Sequence, residues 1–169
     1  FPGLIQGARI AGAGKIIAID TSEEKLVMAK GFGATDGILA DDNCFKAIKG
    51  MTDGLGVDYA FEAIGITDVM ELAYAITRNG GTTIIVGVGS MKEKVSFNAL
   101  TFSLKAKTVC GCMYGRSDPV VDFPKMLGFY KEGKLDLDGM ISKTYTIDDV
   151  NEAFDDLVKG GNARGVIGY

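Results

Sequence analysis

The sequence predicts an α/β fold in which helices alternate with mostly parallel strands. Two observations carry this. The first is Lys15-Ile-Ile-Ala-Ile-Asp20, an unbroken apolar run that stops at a carboxylate and gives way at once to a helix pattern. A strand covered by helices on both faces reads as continuous apolar residues, not as an alternation. The second is recurrence. Apolar or β-branched runs return at Val57–Glu62, Thr82–Val86 and Thr108–Tyr114, with helical or turn patterns between them. The 24 glycines tend to fall at the ends of these runs, where turns between strands and helices need them.

The elements follow in order. Leu4–Ala13 reads as a short helix, punctuated by Gly12 and Gly14, and the strand Lys15–Asp20 comes next. Thr21-x-x-Glu24 has the form of a capping box, opening a helix that runs to Phe32 with Gly33 as its left-handed cap. Asp36–Ala40 is a short strand, Asn43–Met51 a short helix, and Thr52-Asp-Gly54 a breaker. After the strand Val57–Glu62, Thr67 is placed to cap a helix over Asp68–Thr77. Arg78-Asn-Gly-Gly81 is a turn signal before the strand Thr82–Val86. Val95–Phe97 reads as a short strand, Leu100–Leu104 as a turn of helix, and Thr108–Tyr114 as a strand. Asp118–Glu132 has a helical pattern in which Pro124 delays the start, and Met140–Tyr145 is a strand. Thr146-x-x-Asp149 caps an amphipathic helix with Val150, Ala153, Phe154, Leu157 and Val158 on one face. Gly165–Tyr169 is a terminal strand.

Composition bounds the function. The chain has 169 residues, 47% hydrophobic and 24% charged, which suits a globular domain with a real core. Its net charge of −4, with no basic run, argues against nucleic acid and anionic membranes as partners. No apolar window reaches transmembrane length, and Phe1-Pro-Gly-Leu4 lacks the positive region of a signal peptide. Cys44, Cys110 and Cys112 make no disulfide framework. Cys110 and Cys112, two apart in a predicted strand, would point to opposite faces, so all three read as ordinary buried thiols in a reducing compartment such as the cytoplasm. The chain contains no histidine, hence no imidazole metal ligand and no imidazole base.

An acid at the carboxyl end of a parallel strand sits where α/β sheets bind ligands, which marks Asp20. From Asp20 through Lys25 the chain resembles the coenzyme-binding half of the medium-chain, zinc-dependent alcohol dehydrogenases. The likeness continues in Gly33-Ala-Thr-Asp36, Val57-Asp-Tyr-Ala-Phe-Glu-Ala-Ile-Gly65, Ile84-Ile-Val-Gly-Val88 and Gly111-Cys-Met-Tyr-Gly115. It reaches the end in Ile147-Asp-Asp-Val-Asn-Glu-Ala-Phe154 and Ala163-Arg-Gly-Val-Ile167. The resemblance implies a Rossmann-like, doubly wound, mostly parallel sheet. Residues 1–115 would form the NAD-binding domain, and 116–169 a C-terminal segment that packs on a catalytic domain. It also implies roles. Asp20 would take the adenosine ribose hydroxyls and repel a 2′-phosphate, favouring NAD over NADP. Lys25 would reach the same ribose. Ala63, Ile64 and Gly65 would line the cofactor. Backbone groups of Val86, Val88, Cys112 and Tyr114 would hold the nicotinamide carboxamide, and Arg164 would pair with the pyrophosphate.

Plainer readings stand beside these. Asp20 also suits a helix start through the macrodipole. Lys25 and Arg164 also read, less favourably, as surface cations, and Val86 and Val88 as core residues. Glu62, at a strand end, is a buried-carboxylate candidate without an assigned role. Ser117, Tyr130 and Lys134 have the spacing of the short-chain dehydrogenase set, but Gly133 lies between Tyr130 and Lys134 at the predicted helix end.

Two family features are not found. No Gly-x-Gly-x-x-Gly occurs, and the first strand that precedes it in the family has no counterpart, which leaves a gap between strands or an open edge. The Cys and His ligands of the family's catalytic zinc, and the four cysteines of its structural zinc, match no position here. The expectation is a coenzyme-binding fragment, inactive alone, whose parent reaction is hydride transfer between an alcohol or a hemithioacetal adduct and NAD. A homodimer through the Thr108–Tyr114 edge is expected as well. The alternatives are a non-catalytic nucleotide-binding or dimerisation module and, less well matched by Ile84–Val88 and Arg164, another Rossmann-like protein such as a methyltransferase.

Overall fold

The computed structural model describes residues 2–160 and 162–169. Seven α-helices and seven strands occur among them: α1 (Pro2–Ile10), β1 (Ile17–Asp20), α2 (Glu23–Gly31), β2 (Asp36–Leu39), α3 (Cys44–Met51), β3 (Val57–Glu62), α4 (Thr67–Ile76), β4 (Thr77–Ile85), α5 (Ala99–Leu104), β5 (Thr108–Gly111), α6 (Pro119–Lys131), β6 (Ile141–Tyr145), α7 (Val150–Lys159) and β7 (Arg164–Ile167). The chain divides into two compact units. One runs to Ile38 and resumes from Pro119 to Tyr169; the other is Leu39–Asp118.

The strands form three groups: the pair β1-β2, the triple β3-β4-β5 and the pair β6-β7. The triple and the last pair are parallel.

In the Leu39–Asp118 unit, α4 buries Met70, Ala73, Tyr74 and Ile76. The Thr77 hydroxyl donates to the Ala73 carbonyl at 2.7 Å and lies 2.9 Å from the Thr83 hydroxyl. Thr83 is thereby the donor to Thr77, and two buried hydroxyls are satisfied without water. The predicted turn Arg78–Gly81 lies inside β4. There β4 advances from Thr77 to Thr82 while β3 advances only from Val57 to Tyr59. The surplus residues bulge out of the ladder. Gly81 is required there, because a Cβ would lie 2.8 Å from the Asp58 carbonyl oxygen. Arg78 ties the bulge to Asp58 at 2.6 Å.

Several helix and strand ends differ from expectation for local reasons. Ser22, not Thr21, caps α2, its hydroxyl accepting the Lys25 amide. The Asp20 carboxylate accepts the Ser22 amide at 3.1 Å, so Thr21 sits in the resulting turn and the helix opens one residue later. Thr67 is inside α4; extended Ile66 holds the cap position without a side-chain bond, following the turn at Gly65. Residues 95–97 form no strand: the Ser96 amide donates to Glu71, and the Phe97 ring packs 4.6 Å from that of Tyr74. β5 ends at Gly111, not Tyr114, because its partner β4 ends at Ile85. Tyr114–Arg116 then forms a single 3-10 turn, with positive φ at Tyr114, Gly115 and Arg116.

In the other unit, Ile16, Ala29 and Ala34 form a small core with Ile5, Ala8 and Ala18 packed against it. Gln6 is fully buried and exchanges two bonds with the Asp136 peptide, at 2.9 and 2.6 Å, which ties α1 to the segment after α6. The Thr146–Asp149 capping box is present, followed by a 3-10 turn before α7. The buried Tyr145 hydroxyl donates to Asp156 and accepts from Asn162, both at 2.8 Å. The apolar stripe of α7 is not a core face among the described residues: Phe154 and Leu157 are exposed, and Val158 is 88% exposed.

Lys107, almost fully buried, donates to the Tyr74 carbonyl at 2.6 Å and lies 4.3 Å from the centre of the Tyr74 ring. It thus neutralises the carbonyl end of α4. Burial, then the charges of Lys105 and Lys49, lower its pKa to about 8. Because the folded value lies below the ordinary lysine value, the unfolded chain binds more protons between the two. Stability gains from this residue as pH rises from about 8 towards the ordinary lysine range. An NMR titration of the lysine Nζ signals should show one midpoint near 8 that disappears in Lys107→Met.

Candidate functional site at the carboxyl ends of the strands

β3, β4 and β5 are parallel, so their carboxyl ends share one edge. Ala63, Ile64 and Gly65 follow β3; Val86 to Val88 follow β4; Cys112 to Tyr114 follow β5. One buried side chain organises this edge. Glu62 is 1% exposed, and its Oε1 accepts the amides of Ile64 and Gly65, each at 2.7 Å. Its backbone carbonyl accepts the amides of Val86 at 2.7 Å and Gly87 at 3.2 Å. Glu62 therefore holds both segments through four N–H groups. Its Oε2 is buried without a partner among the described residues.

Two glycines let these segments touch. Gly65 has φ +96°, and a Cβ there would run into the Val88 carbonyl oxygen. A Cβ at Gly87 would meet the Gly65 nitrogen and Ile64 carbonyl carbon. Each position admits only glycine. The edge itself is apolar and open: Val88 is 91% exposed, Tyr114 90%, and Ile64, Ile66 and Met113 are exposed too. Backbone availability differs along it. The Val86 amide is committed to Glu62, and the Cys112 amide to the Ile85 carbonyl at 2.9 Å. Val86 and Cys112 thus offer carbonyl oxygens only, which narrows the backbone groups named from the sequence.

Asp20, Lys25 and Arg164 belong to the other unit. Asp20 ends β1 half-buried, with Oδ1 taken by the Ser22 amide. That bond closes the turn before α2, and Oδ2 has no partner among the described residues. Lys25 is exposed in the first turn of α2, and a Cβ on Gly160 would be 3.4 Å from its Nζ. Arg164 opens β7, exposed, with one guanidinium N–H given to the Ala163 carbonyl at 2.8 Å. Sequence reasoning had singled out the neighbours of Glu62 but assigned no role to Glu62. Its signal was present: an acid ending an apolar strand, followed by a glycine three residues later.

The short-chain set is not assembled. The Tyr130 hydroxyl donates to Asp138 at 2.6 Å, which pushes its pKa up, the opposite of what a catalytic phenol needs. Lys134 lies beyond the end of α6 and pairs with Glu132 at 2.8 Å. No group of three or more His, Cys, Asp or Glu residues able to hold a metal occurs among the described residues.

A strand–helix alternation with parallel carboxyl ends opening on one apolar edge defines a Rossmann-like, cofactor-binding type of domain. A family described as zinc-binding dehydrogenase matches residues 3–132, and the chain belongs to that family. It is 36% identical over 167 residues to alcohol dehydrogenase-like 5 of Arabidopsis thaliana, covering 96% of this chain and 42% of that protein. It is 34% identical over 168 residues to alcohol dehydrogenase B of Mycobacterium tuberculosis, covering 98% and 45%. Among solved structures, benzyl alcohol dehydrogenase from Acinetobacter calcoaceticus superposes with a TM-score of 0.92 at 29% identity, over 98% of this chain and 46% of that one. An alcohol dehydrogenase zinc-binding domain protein from Burkholderia ambifaria gives 0.93 at 29% identity, over 98% and 45%. The chain thus spans less than half the length of these relatives.

Gly65→Ala should destabilise the chain by about 2–4 kcal/mol, since a Cβ meets both an unfavourable φ and the Val88 carbonyl. Urea unfolding of the two proteins measures it; a change under about 0.5 kcal/mol would show that this close approach does not exist.

Proposed function

We propose that this chain is the coenzyme-binding part of a zinc-dependent alcohol dehydrogenase that uses NAD. The observation that carries the reading is the apolar edge at the ends of β3, β4 and β5, set by Glu62 and two obligatory glycines. A planar, weakly polar ring fits such an edge, with the carbonyl oxygens of Val86 and Cys112 available to a carboxamide N–H and the Tyr114 amide to its oxygen. Ala63, Ile64, Gly65 and Val88 supply the apolar contact. Asp20 has one carboxylate oxygen left for ribose hydroxyls, and its charge disfavours a 2′-phosphate. Lys25 adds a donor for the same ribose, and Arg164 a planar cation for pyrophosphate.

When bound, NAD accepts or returns the hydride; this chain binds it and orients the ring. The parent substrate is an alcohol or a hemithioacetal adduct. Zinc does not fit the described residues, which offer no cluster of three or more His, Cys, Asp or Glu side chains. In the whole protein the metal belongs to the family's catalytic half. Residues 1–115 then form the NAD-binding domain, and 116–169 the segment that packs on that half. The exposed faces of α6 and α7 support this, with Val120, Val121, Phe154 and Val158 uncovered. Free thiols at Cys44, which is buried, and at half-buried Cys110 and Cys112 support operation in a reducing compartment such as the cytoplasm.

NAD titration by calorimetry tests the reading. We expect weak, salt-sensitive binding, reduced about tenfold or more by Asp20→Asn, which also narrows the preference over NADP. The same chain with zinc, NAD and an alcohol should show no turnover. Absence of any NAD binding would favour the second reading, a pure assembly module. That reading draws on β5, which ends the order β3-β4-β5 and leaves one edge unpaired in its sheet. Under either reading we propose a homodimer through the β5 edge, Thr108–Gly111, and sedimentation showing a stable monomer would exclude it.

A further inference from the structure

We propose that Glu62 is a positioning residue: its buried carboxylate fixes the 64–65 turn against the 86–88 segment, which its backbone carbonyl holds, and so makes one edge for the nicotinamide end of the dinucleotide. The inference rests on the cofactor reading above and adds to it a residue that never touches the cofactor.

The geometry is unusual for a structural carboxylate. Only Oε1 is bonded, to two successive amides at 2.7 Å each, while Oε2 is buried without a partner among the described residues. Burying a charged group is costly, and a group with one idle oxygen recovers only part of that cost. An apolar residue of similar size would avoid that cost but leave the Ile64 and Gly65 amides without this acceptor, so the net gain in stability is small. What it does achieve is directional. The two amides converge on Oε1 and curl the chain after β3 into the left-handed turn at Gly65. That turn brings Gly65 against the Val88 backbone, and the Glu62 carbonyl holds Val86 and Gly87 from the same residue. Removing the carboxylate frees the 64–65 turn, and with it the support behind Val88. The groups proposed to meet the ring then lose their fixed spacing, whereas Asp20, Lys25 and Arg164 keep theirs. Pre-organisation of this kind is felt by the ligand part that uses the edge and not by the rest.

The test compares two ligands on the 169-residue chain: NADH, which carries the nicotinamide ring, and ADP-ribose, which lacks it. Binding of NADH is read by its fluorescence, and of ADP-ribose by calorimetry. In Glu62→Ala and Glu62→Asp we expect NADH affinity to fall about tenfold, with loss of its fluorescence change. ADP-ribose affinity should stay within about twofold of wild type. Glu62→Asp keeps the charge but falls one methylene short of both amides, so it decides the matter if the alanine variant does not fold. Glu62→Gln retains an acceptor for the two amides and should restore both signals. An equal fall for both ligands would make Glu62 merely structural and overturn the proposal. So would unchanged NADH binding in both weakened variants, or a glutamine variant as poor as alanine. If wild type binds ADP-ribose but not NADH, the positioning role is excluded while the adenosine half stands. If it binds neither, the cofactor reading itself fails.

Discussion

The Leu39–Asp118 unit depends on one constraint: loops leaving neighbouring parallel strands must be held side by side where the ladder no longer holds them. Within β3 and β4 the register does this work, Phe61 facing Ile84 and Glu62 facing Ile85. Beyond those residues a side chain must take over. Glu62 does so from both its backbone and its carboxylate, at the last position of its strand. Charge-assisted N–H bonds are worth about 1.5–3 kcal/mol each, against several kcal/mol for burying a charge. The balance is close, so geometry and not stability is the product.

Glycine completes that arrangement from the other side. Glu62 can draw two loops together only as far as side chains permit, and Gly65 and Gly87 remove the obstacle at the contact. The opposite end of the same strands follows a different rule. There Gly81 admits the Asp58 carbonyl, and Lys107 neutralises the end of α4. One end of the sheet is closed by polar bonds and bulges, and the other is left apolar and open. That asymmetry leaves the carboxyl-end edge of this unit as its accessible apolar surface.

The other unit shows how far a sequence pattern can be trusted. The stripe Val150, Ala153, Phe154, Leu157 and Val158 specifies an amphipathic helix, and α7 forms. The same stripe carries no information about what covers it, and here Leu157 and Val158 face outward. The helix's stability instead draws on its ends: the Thr146–Asp149 box at one, the left-handed Gly160 at the other. Tyr145, Asp156 and Asn162 add a polar clasp that no periodicity reveals, since its members are scattered over 18 residues and meet only after β6 and β7 pair.

The sequence by itself determined the alternation of elements, the parallel strands and the residues at their carboxyl ends, because apolar runs, capping residues and glycines act locally. Its errors were local too, one residue at Thr21 and at Thr67, where a turn made by Asp20 or Gly65 shifted the helix start. Tertiary structure alone decided the rest. It put Arg78–Gly81 inside β4, because pairing with β3 continues on either side of them. It ended β5 at Gly111, because its partner had run out. It also turned Glu62 from an acid at a strand end into the anchor of two loops, because hydrogen bonds between segments far apart in sequence exist only once the strands are paired.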